Sequence, residues 1–398
     1  MSGLITRRDL LSTAMRGGVA MATAAEIPEW LPARELGSGE RSRNRLSIQA
    51  GAEQLRIVPF DVEWTEAFNK PIDQGLNGRV IHKLAALTSD TLITPNEHFF
   101  VRTAKPALLG PTDNWKITVS GLVDEPTDLT LNSLLPLTES QGVHLLECSG
   151  NPRRRSFGLM SACEWGGIPA VDLLELTRPL SSATRVLIGG FDKHTSRGGG
   201  VPGASWVFDP GDLEAAGAFF ATHMNGERLP DDHGYPIRLF IPGWYGCAAA
   251  KWVDRIEWVN DLAPATTQMK EYASRTGNDG IPELAGEYVR GEMDLAAMPV
   301  RVEKWSEGGQ PYYRVVGIAW GGKRTVSRLE IRFNVDAPWV PIDDFEHRSV
   351  TTWNIWSHTW RPPEAGSYTI RLRFPDSTVP TRRIDRGYYD RTVTISDA

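Results

Sequence analysis

The 398-residue sequence is poor in cysteine, with only Cys148, Cys163 and Cys247. So small and odd a set excludes a disulfide framework, and no CxxC or HxxxH pair gives zinc-site spacing. No CxxCH occurs, so no c-type haem is covalently attached to these residues. No run of 18 apolar residues is present, and no transmembrane segment is expected. An excess of basic residues is also lacking. Lys and Arg number 43 against 49 Asp and Glu, a net charge of −6. That balance argues against a nucleic-acid partner, whose phosphates need a basic surface.

What is present points to a two-domain globular chain behind a leader. Hydrophobic residues make up 41% of the sequence, ample for two cores at this length. The 38 glycines, 27 prolines and 14 tryptophans suit many short strands and turns. Residues 1–50 read as leader and linker. Thr6-Arg7-Arg8-Asp9-Leu10-Leu11 resembles a twin-arginine export signature, followed by an Ala/Gly-rich stretch and a small-residue cleavage site at Ala22-Thr23-Ala24. The expected location is therefore the periplasm.

The first domain is expected over 51–265. Its strand candidates are Trp115–Val119, Val143–Cys148, Arg185–Gly189, Phe219–Met224, Pro236–Ile241 and Lys251–Trp258, with short helices at Leu131–Leu135 and Val171–Thr177. Strands and helices do not alternate regularly, which predicts an α+β fold. A polar stretch to about Ile281 reads as a linker. Over 282–398, period-two patterning marks six strands: Pro299–Trp305, Tyr312–Trp320, Val326–Phe333, Thr351–Trp360, Ser367–Phe374 and Arg391–Ile395. Such spacing predicts an immunoglobulin-like β-sandwich.

Chemistry concentrates in the first domain. An apolar strand ends at Cys148, and a Ser-Gly-Asn-Pro turn leads directly to Arg153-Arg154-Arg155. Cationic neighbours favour a thiolate, the form that binds metals. Arg238, on an extended Ile237–Ile241, would point away from Ile237 and Leu239 and so can face a site. Cys163 and Cys247 read as buried core residues, and Arg154 and Arg155 as a solvated run.

The segments His98–Arg102, His144–Arg155, Ser161–Leu174, Met224–Arg238 and Ile241–Val253 resemble, in order, segments of the sulfite oxidase family. Gly317–Gly322 and the later strands are similar to that family's C-terminal dimerisation domain. The resemblance implies molybdenum held by Cys148 and a molybdopterin contacted by Arg102, Asp192, His233, Arg238, Ala249, Ala250 and Lys251. It makes Arg102, Cys148 and Arg153 the catalytic residues. The implied reaction is oxidation of sulfite, or another small oxyanion, to sulfate, with a separate cytochrome c as electron acceptor and a homodimeric assembly. The chain departs from the family pattern at Thr103-Ala104, at Ala249-Ala250 and at Pro202, where a pocket tyrosine is common. Two other readings stay open: a molybdenum oxide reductase of the nitrate or methionine sulfoxide type, and a cofactor-free periplasmic binding protein.

Overall fold

The computed structural model describes residues 52–62, 67–106, 112, 114–192 and 204–397. The twin-arginine segment and Pro202 lie outside these residues. Two five-stranded sheets build the first unit. One runs in the order Thr127–Thr130, Lys116–Gly121, Val253–Val259, Arg185–Gly190, Ser205–Phe208. The other runs Arg238–Phe240, Phe219–Met224, Met160–Pro169, Glu139–Glu147, with Glu227–Arg228 paired to Phe219–Met224.

The second of these sheets is buried on both faces. Side chains alternate across a strand, so Leu145, Met160, Ala162 and Leu239 join the large core shared with the first sheet. Leu146, Cys163, Trp165 and Phe240 enter a separate apolar cluster with Ile81 and Phe99. Cys148 belongs to this second cluster and lies just beyond the end of Glu139–Glu147. The strand therefore ends where the sheet's inner face gives way to the site.

Two four-stranded sheets form the C-terminal unit. One is ordered Glu53–Val58, Ala296–Glu307, Gln310–Trp320, Asn354–Trp360; the other Val340–Pro341, Glu330–Phe333, Gly366–Arg373, Arg391–Ile395. Val302, Val315 and Trp356 from one sheet and Ile331, Ile370 and Val393 from the other share one core, which makes a sandwich. The α+β class and the sandwich agree with the sequence expectation.

Three expectations are corrected. Glu53–Val58, assigned to the first domain, pairs antiparallel with Ala296–Glu307 and completes the C-terminal sheet. Trp165-Gly166-Gly167 lies within a strand, Met160–Pro169, absent from the expected strands, and the helix expected at Val171–Thr177 spans Ala170–Glu175. The supposed linker contains the helix Thr267–Thr276. Its Thr266 side chain accepts from the Met269 amide and Gly277 closes it at φ 99°. Met269, Tyr272, Ala273 and Thr276 are its buried residues, the spacing of one helical face.

Candidate active site

Cys148 is held by its loop. Its amide donates to Leu159 O at 3.0 Å and its carbonyl accepts from the Asn151 amide at 3.0 Å. Asn151 Oδ1 in turn accepts from the Leu159 amide at 3.0 Å. Burial pushes the thiol upward, against the lowering influence of the Gly150 amide, Arg102 and Arg275. The largest favourable charges thus come from Arg102 and Arg275 rather than from the three arginines that follow Cys148 in sequence.

One cavity gathers almost every residue named from the sequence. Arg102, Cys148, Asp192, His233, Arg238 and Lys251 all line it, as do Ala249 and Ala250. Arg102 follows a 3-10 turn, Asn96–His98, and a single bridge between Val80 and Val101. His233 is buried; its Nε2 donates to Asn96 O at 3.2 Å, and Phe99 meets the ring edge-on at 5.4 Å. Burial, with Lys251 and Arg238 nearby, drives its pKa to about 3, so the imidazole is neutral. Arg238 donates from Nη1 to His233 O at 3.0 Å and lies 5.6 Å over the Trp165 ring. Ile237 and Leu239 face the core, as the alternation predicted.

Lys251 donates from Nζ to Thr103 O and, at 2.8 Å, to Asp232 O. Close backbone approaches fix its place. A Cβ on Gly190 would meet Lys251 O at 2.0 Å, and one on Gly234 would meet Lys251 Cβ at 3.0 Å. Only glycine fits Gly190 without moving the backbone, and Gly234 also sits at φ 109°. The Ala249 amide donates to Gly246 O at 3.3 Å.

A second, more open cavity of about 550 Å³ adjoins the first through Arg102, which lines both. Arg79, Arg154 and Arg155 line it from the first unit and Arg275 from the helix Thr267–Thr276. Arg382, Arg383 and Arg386 reach it from the C-terminal unit. Arg153 does not line it. Its Nη2 donates to Thr392 Oγ1 at 3.5 Å, in the C-terminal sandwich. The 3-10 turn Arg153–Arg155 and the left-handed Ser156 separate the three guanidinium directions. Arg153, expected among the catalytic residues, thus lies outside both cavities, and Arg154 and Arg155, read as a solvated run, line the second one.

The first cavity suits a phosphate-bearing metal cofactor. Three cations, Arg102, Arg238 and Lys251, line it, and the Nε of buried Arg238 has no hydrogen-bond partner. Buried cations call for an anion, and the Cys148 thiol lines the same space. Residues 104–266 match the oxidoreductase molybdopterin binding domain. The chain carries a molybdopterin-binding oxidoreductase domain. Its cofactors are molybdenum and molybdopterin, which removes the cofactor-free reading. In this domain Cys148 would hold the metal, a soft ligand suited to it. Arg238, Lys251 and His233 would hold the pterin.

The chain is 26% identical to the sulfite oxidase of Gallus gallus over 332 residues, 74% of this chain and 71% of that protein. It is 28% identical over 292 residues to a nitrate reductase [NADPH] of Aspergillus niger, 64% of this chain and 32% of that protein. The nitrate reductase [NADH] of Spinacia oleracea matches at 28% over 307 residues, again 32% of its length. The chain thus spans about a third of the nitrate reductases it matches. The crystal structure of the sulfane dehydrogenase SoxCD from Paracoccus pantotrophus shares the fold, with TM-score 0.60 at 18% identity, over 92% of this chain and 89% of that one.

Sequence reasoning missed Arg275 and the C-terminal arginines. Thr266 and Gly277, with apolar residues three and four apart between them, were the available sign of the helix that carries Arg275. Arg382, Arg383 and Arg386 had no local sign, because their role depends on how the two units pack.

Proposed function

We propose that this chain oxidises sulfite, or a related sulfur oxyanion, to sulfate and passes the electrons to a separate cytochrome c. The observation that carries the reading is the position of Arg102, shared between the cavity that contains Cys148 and the arginine-lined mouth. Bound molybdenum supplies oxygen-atom transfer and storage of two electrons. The chain's own residues bind and orient. Arg102 neutralises an oxyanion next to Cys148, and Arg79, Arg155 and Arg275 draw it inward. Neutral His233 and charged Arg238 stay with the cofactor. Overall, sulfite gains an oxygen from water and releases two protons and two electrons.

Metal analysis coupled to sulfite-dependent reduction of cytochrome c tests the reading. Molybdenum in the protein and sulfite-driven reduction are expected; molybdenum without sulfite turnover contradicts it. The similarity to nitrate reductases favours a second reading, reduction of nitrate or another oxide at the same site. Turnover of nitrate with a reduced dye, and none of sulfite with an oxidised one, would select it.

The leader and the sandwich extend the proposal. Export by the twin-arginine route predicts that changing Arg7 and Arg8 to Lys traps active enzyme in the cytoplasm; normal export of that variant contradicts it. A two-fold homodimer built on the C-terminal unit predicts sedimentation at about twice 44.1 kDa, less any leader removed. A stable monomer at micromolar concentration contradicts it.

A further inference from the structure

The mouth is larger and more cationic than a small oxyanion needs. Its volume of about 550 Å³ lies in the roughly 300–1,000 Å³ range of sites that enclose a drug-sized ligand. An anion the size of sulfite displaces only a few waters, each roughly 30 Å³. Eight arginines line the mouth, and no Asp or Glu is among its described lining residues. Carboxylates outside the lining act on at least three of the eight, Asp73 on Arg155 among them, and those that pair with Arg382 and Arg383 stand behind the wall. Asp294 meets Arg382 at 3.2 Å, and Glu147 meets Arg383 at 3.8 Å.

The arginines form two tiers. Arg102 is innermost, where the mouth meets the cofactor cavity. Arg154 and Arg386 are exposed and form the rim. The inner guanidiniums crowd one another: burial, Arg102 and Arg155 push the Arg79 guanidinium down to about 10. The crowding is also fixed in place. Arg383 Nη2 donates to Ser149 O at 2.8 Å and to Arg275 O at 3.1 Å, tying three of the contributing segments together. A preorganised cluster of like charges extending from the reacting centre to the surface favours a ligand whose negative charge is similarly extended.

We propose that the substrate of this site is an anionic sulfur compound larger than sulfite, carrying at least two anionic groups besides the one that meets Arg102. This rests on the oxidoreductase reading above and specifies the substrate class. The reacting sulfur group sits beside Arg102, and the remaining charge reaches outward to Arg154 and Arg386.

The test uses cofactor-loaded enzyme and titration calorimetry with sulfate, pyrophosphate and tripolyphosphate at one fixed ionic strength. Affinity should tighten about tenfold at each step from sulfate to tripolyphosphate. The Arg154→Gln/Arg386→Gln double variant should bind tripolyphosphate at least about tenfold more weakly and sulfate within about threefold of wild type. Equal affinity for the three anions, or a double variant that binds tripolyphosphate like wild type, overturns the inference. Molybdenum content and sulfite turnover, measured on the same preparations, separate the two claims. Graded binding without turnover overturns the reaction and keeps the polyanion site; turnover without graded binding does the reverse.

Discussion

Glu147 and Arg383 meet at 3.8 Å with the carboxylate 1% exposed, one residue before Cys148. Glu147 also accepts from Trp320 Nε1 at 3.0 Å and from Tyr389 OH at 3.0 Å, both in the C-terminal unit. Asn151, from the Cys148 loop itself, donates to it at 3.3 Å. Alternation along the strand turns Glu147 toward the C-terminal unit and Cys148 toward the cofactor cavity. The position of the Cys148 loop is therefore set from behind by the sandwich.

Arg383→Met should leave Glu147 buried without its cation, and burial already pushes that carboxyl upward. The expected loss is roughly 3–5 kcal/mol of unfolding free energy. Glu147→Gln in the same chain should recover part of it, because the amide needs no counter-charge. Denaturant unfolding of the single and double variants checks this. A strictly additive cycle would show that the pair does not couple the two units.

Arg102→Met and Arg153→Met should behave differently, although their sequence contexts look equally suited to catalysis. Arg102 lines both cavities. Its loss should lower kcat/KM for sulfite about 30- to 1000-fold, roughly 2–4 kcal/mol of transition-state stabilisation, at normal molybdenum content. Arg153 contacts Thr392, so its loss should leave kcat/KM near wild type and act on stability. Equal kinetic damage from both would contradict the assignment.

Lys251 gives a pH signature in cofactor-free protein. Burial, then Arg238, pushes its ammonium down from 10.5 to about 7. The folded state is therefore penalised fully below about pH 7, where the lysine is charged folded and unfolded alike. The penalty fades between about pH 7 and 10.5, where only the unfolded chain still binds the proton. The Tm of wild type relative to Lys251→Met should rise across that window. Bound molybdopterin, whose phosphate favours the charged lysine, should flatten the rise. A pH-independent difference without cofactor would contradict the burial of this ammonium.

Much of this was legible in the sequence where one face of an element is wet. The strand Arg391–Ile395 keeps its expected bounds, and from Tyr368 to Arg373 buried residues alternate with half-buried or exposed ones. Met160–Pro169 was hidden because nearly all of its residues are buried, which erases the period-two signal. Glu53–Val58 was misplaced for the opposite reason: five of its six residues are exposed, and its partner strand begins at Ala296. The residues that line the cavity with Cys148 were readable from the order of their segments. The direction of each guanidinium in Arg153–Arg155 was not, because a single 3-10 turn and the packing of two units decide it.

Cysteine variants separate ligand from scaffold. Cys163 is fully buried beside Trp165 in the apolar cluster, so Cys163→Ser should keep turnover at a cost of roughly 1–3 kcal/mol for an enclosed hydroxyl. Cys148→Ser should abolish turnover in a folded protein. Circular dichroism and activity on the same samples check both; turnover in the Cys148 variant would move the metal elsewhere.

The most direct test of the account is X-ray absorption at molybdenum in wild type, Cys148→Ser and Cys163→Ser. One fewer sulfur around the metal, or loss of the metal itself, is expected in Cys148→Ser alone. Wild-type molybdenum content with an unchanged sulfur shell in Cys148→Ser would contradict it.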